Sequence, residues 1–270
     1  MQNNSIATTL KMVGDLNRCF GNKPYFEIDG KGEKPSFHSY LNGQVSLIIE
    51  EMYDELHLAE SQEDVVGMLD AIGDSITVID GLAHKAGFIK SDLGRYDTAT
   101  HCMILGALNG SVDLYNIKNF ARIPHFVSDN EVGKIAFELW ATHRAFIEAY
   151  SIQKGFDPLK VYKEVHESNM SKFCNTVEEA HESLMKYFNQ YGLVSSATDS
   201  FARDVTSYTE DDDLRVEEVN GVFVIKTNRE VKMGEKVVKT GKFLKGINFK
   251  EPDFSNPGRF ELARLVAPVL

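Results

Sequence analysis

Two consecutive stretches repeat apolar residues at helical spacing and carry carboxylates beside the apolar stripe. In "LDAIGDSITVIDGLAHKAG" (69–87), Leu69, Ile72, Ile76, Ile79 and Ala83 form the stripe, and Asp70 and Asp74 sit one turn apart next to it. In "LIIEEMYDELHLA" (47–59), Glu50, Glu51, Asp54 and Glu55 share one broad face, opposite Val45, Ile49, Met52, Leu56 and Ala59. Aspartate is a mediocre helix former, and like charges at i,i+4 repel. Acidic helix faces are usually just solvated. This one is interleaved with Leu47 and Leu58, and from Leu41 to Ala59 its only basic residue is His57. A short connection makes the two helices antiparallel neighbours, so the carboxylates are expected to converge. Unpaired, such a cluster destabilises the fold or holds protons; a divalent cation resolves it. Hard oxygen donors without cysteine or paired histidine suit Mg²⁺, or Mn²⁺ in its place, rather than zinc. The metal-ligand candidates are Glu50, Glu51, Asp54, Asp70 and Asp74.

The rest of the chain bounds the function. Its 270 residues, 43% hydrophobic and 26% charged, allow a sizeable core. A net charge of −11 argues against a nucleic-acid-coating protein, but not against phosphorylated small ligands bridged by divalent cations. Cys19, Cys102 and Cys174 are far apart and form no zinc spacing, which points to a reduced, cytoplasmic compartment. The first residues lack a signal-peptide core, and no apolar run is long enough to span a bilayer. No membrane partner is expected.

Helices are expected over about 7–20, 40–60, 63–86, 97–120 and 129–154, then from Pro158 with Asp157 as N-cap, and over 176–192 with Gly192 as the stop. "TEDDDLRVEE" reads as a solvated loop. "GVFVIKT" and "EKVVKTGKFLKG" read as a β-hairpin or ribbon, and "FELARLVAPVL" as a short terminal helix. His84, His101, His125, His143 and His166 form no metal-binding pattern and are read as structural, and Trp140 as core. "GEKVVKTGKF" lacks P-loop spacing.

Four motifs, in order, resemble the all-α nucleoside triphosphate pyrophosphohydrolases: the MazG-like enzymes, phosphoribosyl-ATP pyrophosphohydrolase and dimeric dUTPase. "IIEEMYD" is similar to the family's EExxE helix, and "DAIGDSITVIDG" to its second acidic helix. "GFDPLKVYKEVHESNMSK" (155–172) and "GKFLKGINFKEPDF" (241–254) resemble its later segments. The resemblance implies a mainly α fold, a helical bundle of that type over 1–270 as one domain, with a helical insertion at 88–154 and a β-hairpin and tail at 205–254. It implies Mg²⁺-dependent hydrolysis of (deoxy)nucleoside triphosphates to monophosphate and pyrophosphate, as nucleotide-pool housecleaning or rebalancing, in the host cytoplasm if phage-encoded. Glu50, Glu51, Asp54 and Asp74 would be metal ligands, and Glu50 or Glu51 would orient or deprotonate the attacking water. Lys172 and Lys245 would neutralise the triphosphate, assisted by Asn169 and Lys242, and His166 would orient. The base pocket would draw on Asn17 and Phe20, beside Leu16. A homodimer or homotetramer is implied.

Three departures stand out. Ala71 occupies the usual glutamate position, with Asp70 as the substitute. Asp54 stands where glutamate is usual, beside Glu55. About 67 residues (88–154) intervene before "GFD". They motivate a rival reading, a non-catalytic nucleotide-binding or protein-interaction module. A weaker third reading is an acidic DNA mimic, whose negative charge would be spread as a surface strip.

Overall fold

A computed structural model describes residues 2–28, 34–88, 123, 128–198 and 205–262. Within them the chain is mainly helical, with a small antiparallel sheet towards its C-terminus. It divides into two compact units. The first comprises residues 1–17, 23–166 and 252–270, the second 18–22 and 167–251. The expected helix at 97–120, His101, Cys102, His125 and the terminal segment from 263 lie outside the described residues.

The first unit holds α2 (Phe37–Ile48), α3 (Leu56–Ser61), α4 (Val65–Ala86), α5 (Asp129–Gln153) and most of α1 (Gln2–Cys19) and α6 (Pro158–Met170). Side-chain caps set the starts. Ser36 accepts from the Ser39 amide and Asp64 from the Gly67 amide. Ser128 and Glu131 form a reciprocal capping box. Asp157 accepts from the Leu159 and Lys160 amides at 3.0 and 3.2 Å, so Pro158 opens α6 as expected. α4 ends on Gly87, whose φ of 77° is the left-handed conformation that glycine adopts without strain. The α4 stripe is the core: Leu69, Ile72, Ile76 and Ile79 are fully buried with Leu41, Ile48, Met52 and Leu56. Gly73 lets Val165 of α6 come so near that a Cβ at Gly73 would lie 2.3 Å from its Cγ2.

The helix expected over 40–60 differs in one respect. Between α2 and α3, Ile49–Glu55 is π-helical, and the Leu56 amide donates to the Glu51 carbonyl five residues back. The helix therefore widens at the acidic motif. Single π turns of this kind occur mostly inside α-helices and often at functional sites.

A charged network lies within the apolar core. Asp80 is fully buried and accepts from the Trp140 indole at 3.0 Å and the Thr9 hydroxyl at 2.7 Å. Arg144 pairs with Asp80 at 3.4 Å and with the buried Glu148 at 3.1 Å. Burial pushes the Asp80 carboxyl up, while Arg144, Trp140 and Thr9 pull it down. Trp140 is core, as expected, and is also a donor.

The second unit contains α7 (Val177–Tyr191), capped by Thr176 and stopped at Gly192 with φ 71°. Beside α7 stand β1 (Leu214–Val219) and β2 (Val222–Thr227), joined at Asn220–Gly221. Both turn residues have positive φ, 51° and 81°, the geometry that favours Asn-Gly in a two-residue hairpin loop. β3 (Val231–Met233) and β4 (Lys236–Val238) form a separate ribbon, and β5 (Phe243–Leu244) pairs with β2. The strand assignment thus needs correcting: "GVFVIKT" pairs with "LRVEEV", and "EKVV" pairs with the residues just before it. The acidic stretch is also more than a solvated loop. Asp212 is buried and accepts from the Ser196 amide and hydroxyl and the Thr209 amide, all within 2.9 Å. Among the described residues, no helix is long and apolar enough to cross a membrane.

Candidate functional site

The carboxylates meet on the first unit. Glu51, on the π segment, is partly buried, and its carboxyl is pushed up to about 8. Burial is the main cause; the charges of Asp74, Glu55, Glu50 and Asp70 add to it. Two helices adjacent in sequence therefore bring their acids within electrostatic reach of one another. The wider π turn returns residues four and five apart to the same side, and Glu55, four on from Glu51, is among these charges. Asp54 is exposed, while Asp70 and Asp74 are partly buried. Ala71 is 4% exposed and faces the core, so Asp70 is the acidic residue offered one turn before Asp74.

All of these donors are hard carboxylate oxygens, which suits Mg²⁺ or Mn²⁺. As placed, no three His, Cys, Asp or Glu side chains among the described residues are arranged to hold an ion. Glu50, Asp54 and Glu55 are exposed and can change rotamer at small cost. Beneath them, Tyr53 sets its ring edge-on to the buried His143, with centroids 5.8 Å apart and planes at 87°. The His143 Nδ1 lies 2.7 Å from the Leu139 carbonyl, and burial holds its pKa at about 4, so the ring is neutral near pH 7 and serves packing. His166 lies 3.2 Å from the Tyr162 hydroxyl through Nδ1.

The Glu51 shift has a measurable sign. Its folded pKa of about 8 exceeds the ordinary 4.5, so between those values the folded chain binds more protons than the unfolded one. In EDTA, the Glu51 contribution to stability is therefore expected to be full below about pH 4.5 and to fall as pH rises towards about 8. Urea denaturation across that range, parent against Glu51→Gln, checks it: the substitution should flatten the slope.

The second unit holds the basic candidates. Lys172, Lys242 and Lys245 line one cavity of about 760 Å³, together with Phe20. Asn169 is buried and its side-chain oxygen accepts from Lys172 at 2.5 Å. Lys245 pairs with Glu251 at 2.8 Å and lies over the Phe249 ring. Asn17 falls in the first unit, buried, with its amide donating to the Val13 carbonyl at 3.0 Å. The two residues read as a base pocket thus belong to different units.

Sequence reasoning missed two features. Lys236 and Lys239 line the same cavity, but isolated lysines in a ribbon carry no signal. The Asp80–Arg144–Glu148 network did carry one: Asp80 falls within the apolar stripe, a turn after Ile76, where a charge has to be paired.

No known protein family matches the chain, and no solved structure does. An uncharacterized protein of Acanthamoeba polyphaga mimivirus is similar to it, 26% identical over 216 residues, covering 72% of this chain and 82% of that protein.

Proposed function

We propose that the chain is a divalent-cation-dependent nucleoside triphosphate pyrophosphohydrolase. The observation that carries the reading is the set of acids from two helices around the half-buried Glu51, a costly arrangement that hard-cation binding would relieve. A bound Mg²⁺ would supply charge neutralisation at the phosphates and a more acidic water. Glu50, Glu51, Asp70 and Asp74 would hold it, with Asp54 or Glu55 completing the set. Glu51, protonated more readily than an ordinary glutamate, is suited to take the proton of the attacking water near neutral pH. Lys172, Lys242 and Lys245, with Asn169, would bind phosphate oxygens. Asn17 and Phe20 would contact the base. The (d)NTP substrate, the helical NTP-pyrophosphatase type of the fold, the homo-oligomer and the cytoplasmic setting belong to the same proposal.

The test is pyrophosphate release from each common ribo- and deoxynucleoside triphosphate plus dUTP, with Mg²⁺, with Mn²⁺ and with EDTA. Metal-dependent formation of monophosphate and pyrophosphate supports the reading. No turnover of any nucleotide overturns it. Nucleotide binding without turnover would favour the non-catalytic binding module, which the buried Ala71 at a usual acidic position recommends.

A further inference from the structure

The cavity of the second unit gathers more positive charge than its own chain neutralises. Lys172, Lys236, Lys239, Lys242 and Lys245 line it, and no carboxylate does. Cations on the sheet of the same unit are paired: Arg215 and Lys226 with Glu217, Arg229 with Asp213. In the cavity Lys245 has Glu251, whereas Lys236, Lys239 and Lys242 make no ion pair among the described residues. Five lysines less the one paired leave four uncompensated charges.

The remaining wall is aromatic. Tyr191, half-exposed, stacks on Tyr187 with ring centroids 6.3 Å apart and planes at 25°. Tyr187 is fixed by its hydroxyl, which donates to the Lys245 carbonyl at 2.9 Å. Phe20 and Phe243 meet edge to face at 4.5 Å. A volume of about 760 Å³ is in the range of small-molecule sites. A ligand for this wall has a flat π-face at one end and several negative charges at the other.

We infer that this cavity binds a nucleoside triphosphate as the free polyanion, without a divalent cation. A triphosphate carries about four negative charges near neutral pH, which the unpaired lysines balance unaided. The base stacks on the Tyr191 face, and stacking tolerates different bases. Mg²⁺ chelated by the phosphates removes part of the charge the lysines read, so it weakens this binding. The inference goes beyond the hydrolytic reading. It shares Lys172, Lys242 and Lys245 with that reading but needs no carboxylate of the first unit and no turnover.

The experiment is calorimetric titration of the full chain in EDTA with each common nucleoside triphosphate and with inorganic tripolyphosphate. At least one nucleotide is expected to bind, more weakly when Mg²⁺ replaces EDTA. The double substitution Lys236→Ala/Lys239→Ala, at exposed positions, should weaken it by about 10-fold or more. Tyr191→Ala should cost nucleotides about 10-fold and leave tripolyphosphate unchanged. Absence of nucleotide binding, a requirement for Mg²⁺, or parental affinity in the double variant overturns the inference. Binding in EDTA by a chain that hydrolyses nothing supports it while sinking the hydrolytic reading, so the two failures are distinct.

Discussion

Arg144→Met is expected to destabilise the first unit by about 3–5 kcal/mol, the range for stranding a buried charge by removing its partner. The guanidinium is 1% exposed and stands between Asp80 and Glu148, whose side chains are 0% and 4% exposed. Methionine fills similar volume, so the loss is electrostatic rather than a cavity. Asp80 keeps its bonds from Trp140 and Thr9, but these neutral donors cannot replace the cation. A second variant separates charge from packing: Asp80→Asn in the Arg144→Met background should recover part of the loss. Urea denaturation followed by the fluorescence of Trp140, the only tryptophan, reads both. An Arg144→Met chain as stable as the parent would show that the network contributes nothing net.

Asp74→Asn is expected to move function and stability in opposite directions. If the carboxylates hold a divalent cation, losing one of them should lower metal-dependent pyrophosphate release by about 100-fold or more. In EDTA the same variant should be more stable than the parent, because Asp74 is the strongest of the charges acting on Glu51. Removing it should also bring the Glu51 carboxyl down from about 8 and shorten the pH range over which stability declines. A purely structural Asp74 would lose stability instead, and a merely solvated one would change neither. Pyrophosphate release and thermal denaturation on the same preparation distinguish the three.

The helices were legible wherever periodicity met a cap. Leu69, Ile72, Ile76 and Ile79 announce the α4 core face, and Asp157–Pro158 and Gly192 mark ends that the backbone honours. The encounter of Glu51 with Asp74 was legible too, since a short connection leaves adjacent helices few ways to pack. The π turn was not, because a one-residue widening leaves the composition of the helix unchanged. The pairing of β2 with β1 was misjudged for another reason. Glu217 and Glu218 disguise β1 as an acidic loop, although Asn220–Gly221 marks the turn that joins the strands. Phe20 and the lysines share a cavity that the sequence suggests only through resemblance, since residues 20, 172 and 242 are brought together by long-range folding alone.

The π segment also bears on how this chain can change length. A residue deleted from an α-helix turns everything after it by about 100° and tears its buried stripe out of register. Ile49–Glu55 already carries the surplus residue that a π turn represents, so a deletion there can be absorbed by relaxing to α-helix. Leu56 and Ala59 would keep facing the core while the acids between them were redistributed. The same deletion within α4 would swing Asp74 away from Glu51 and take Ile76 and Ile79 out of the core. Of the two acidic helices, the first can therefore gain or lose a residue with its fold intact, and its carboxylates would register the change.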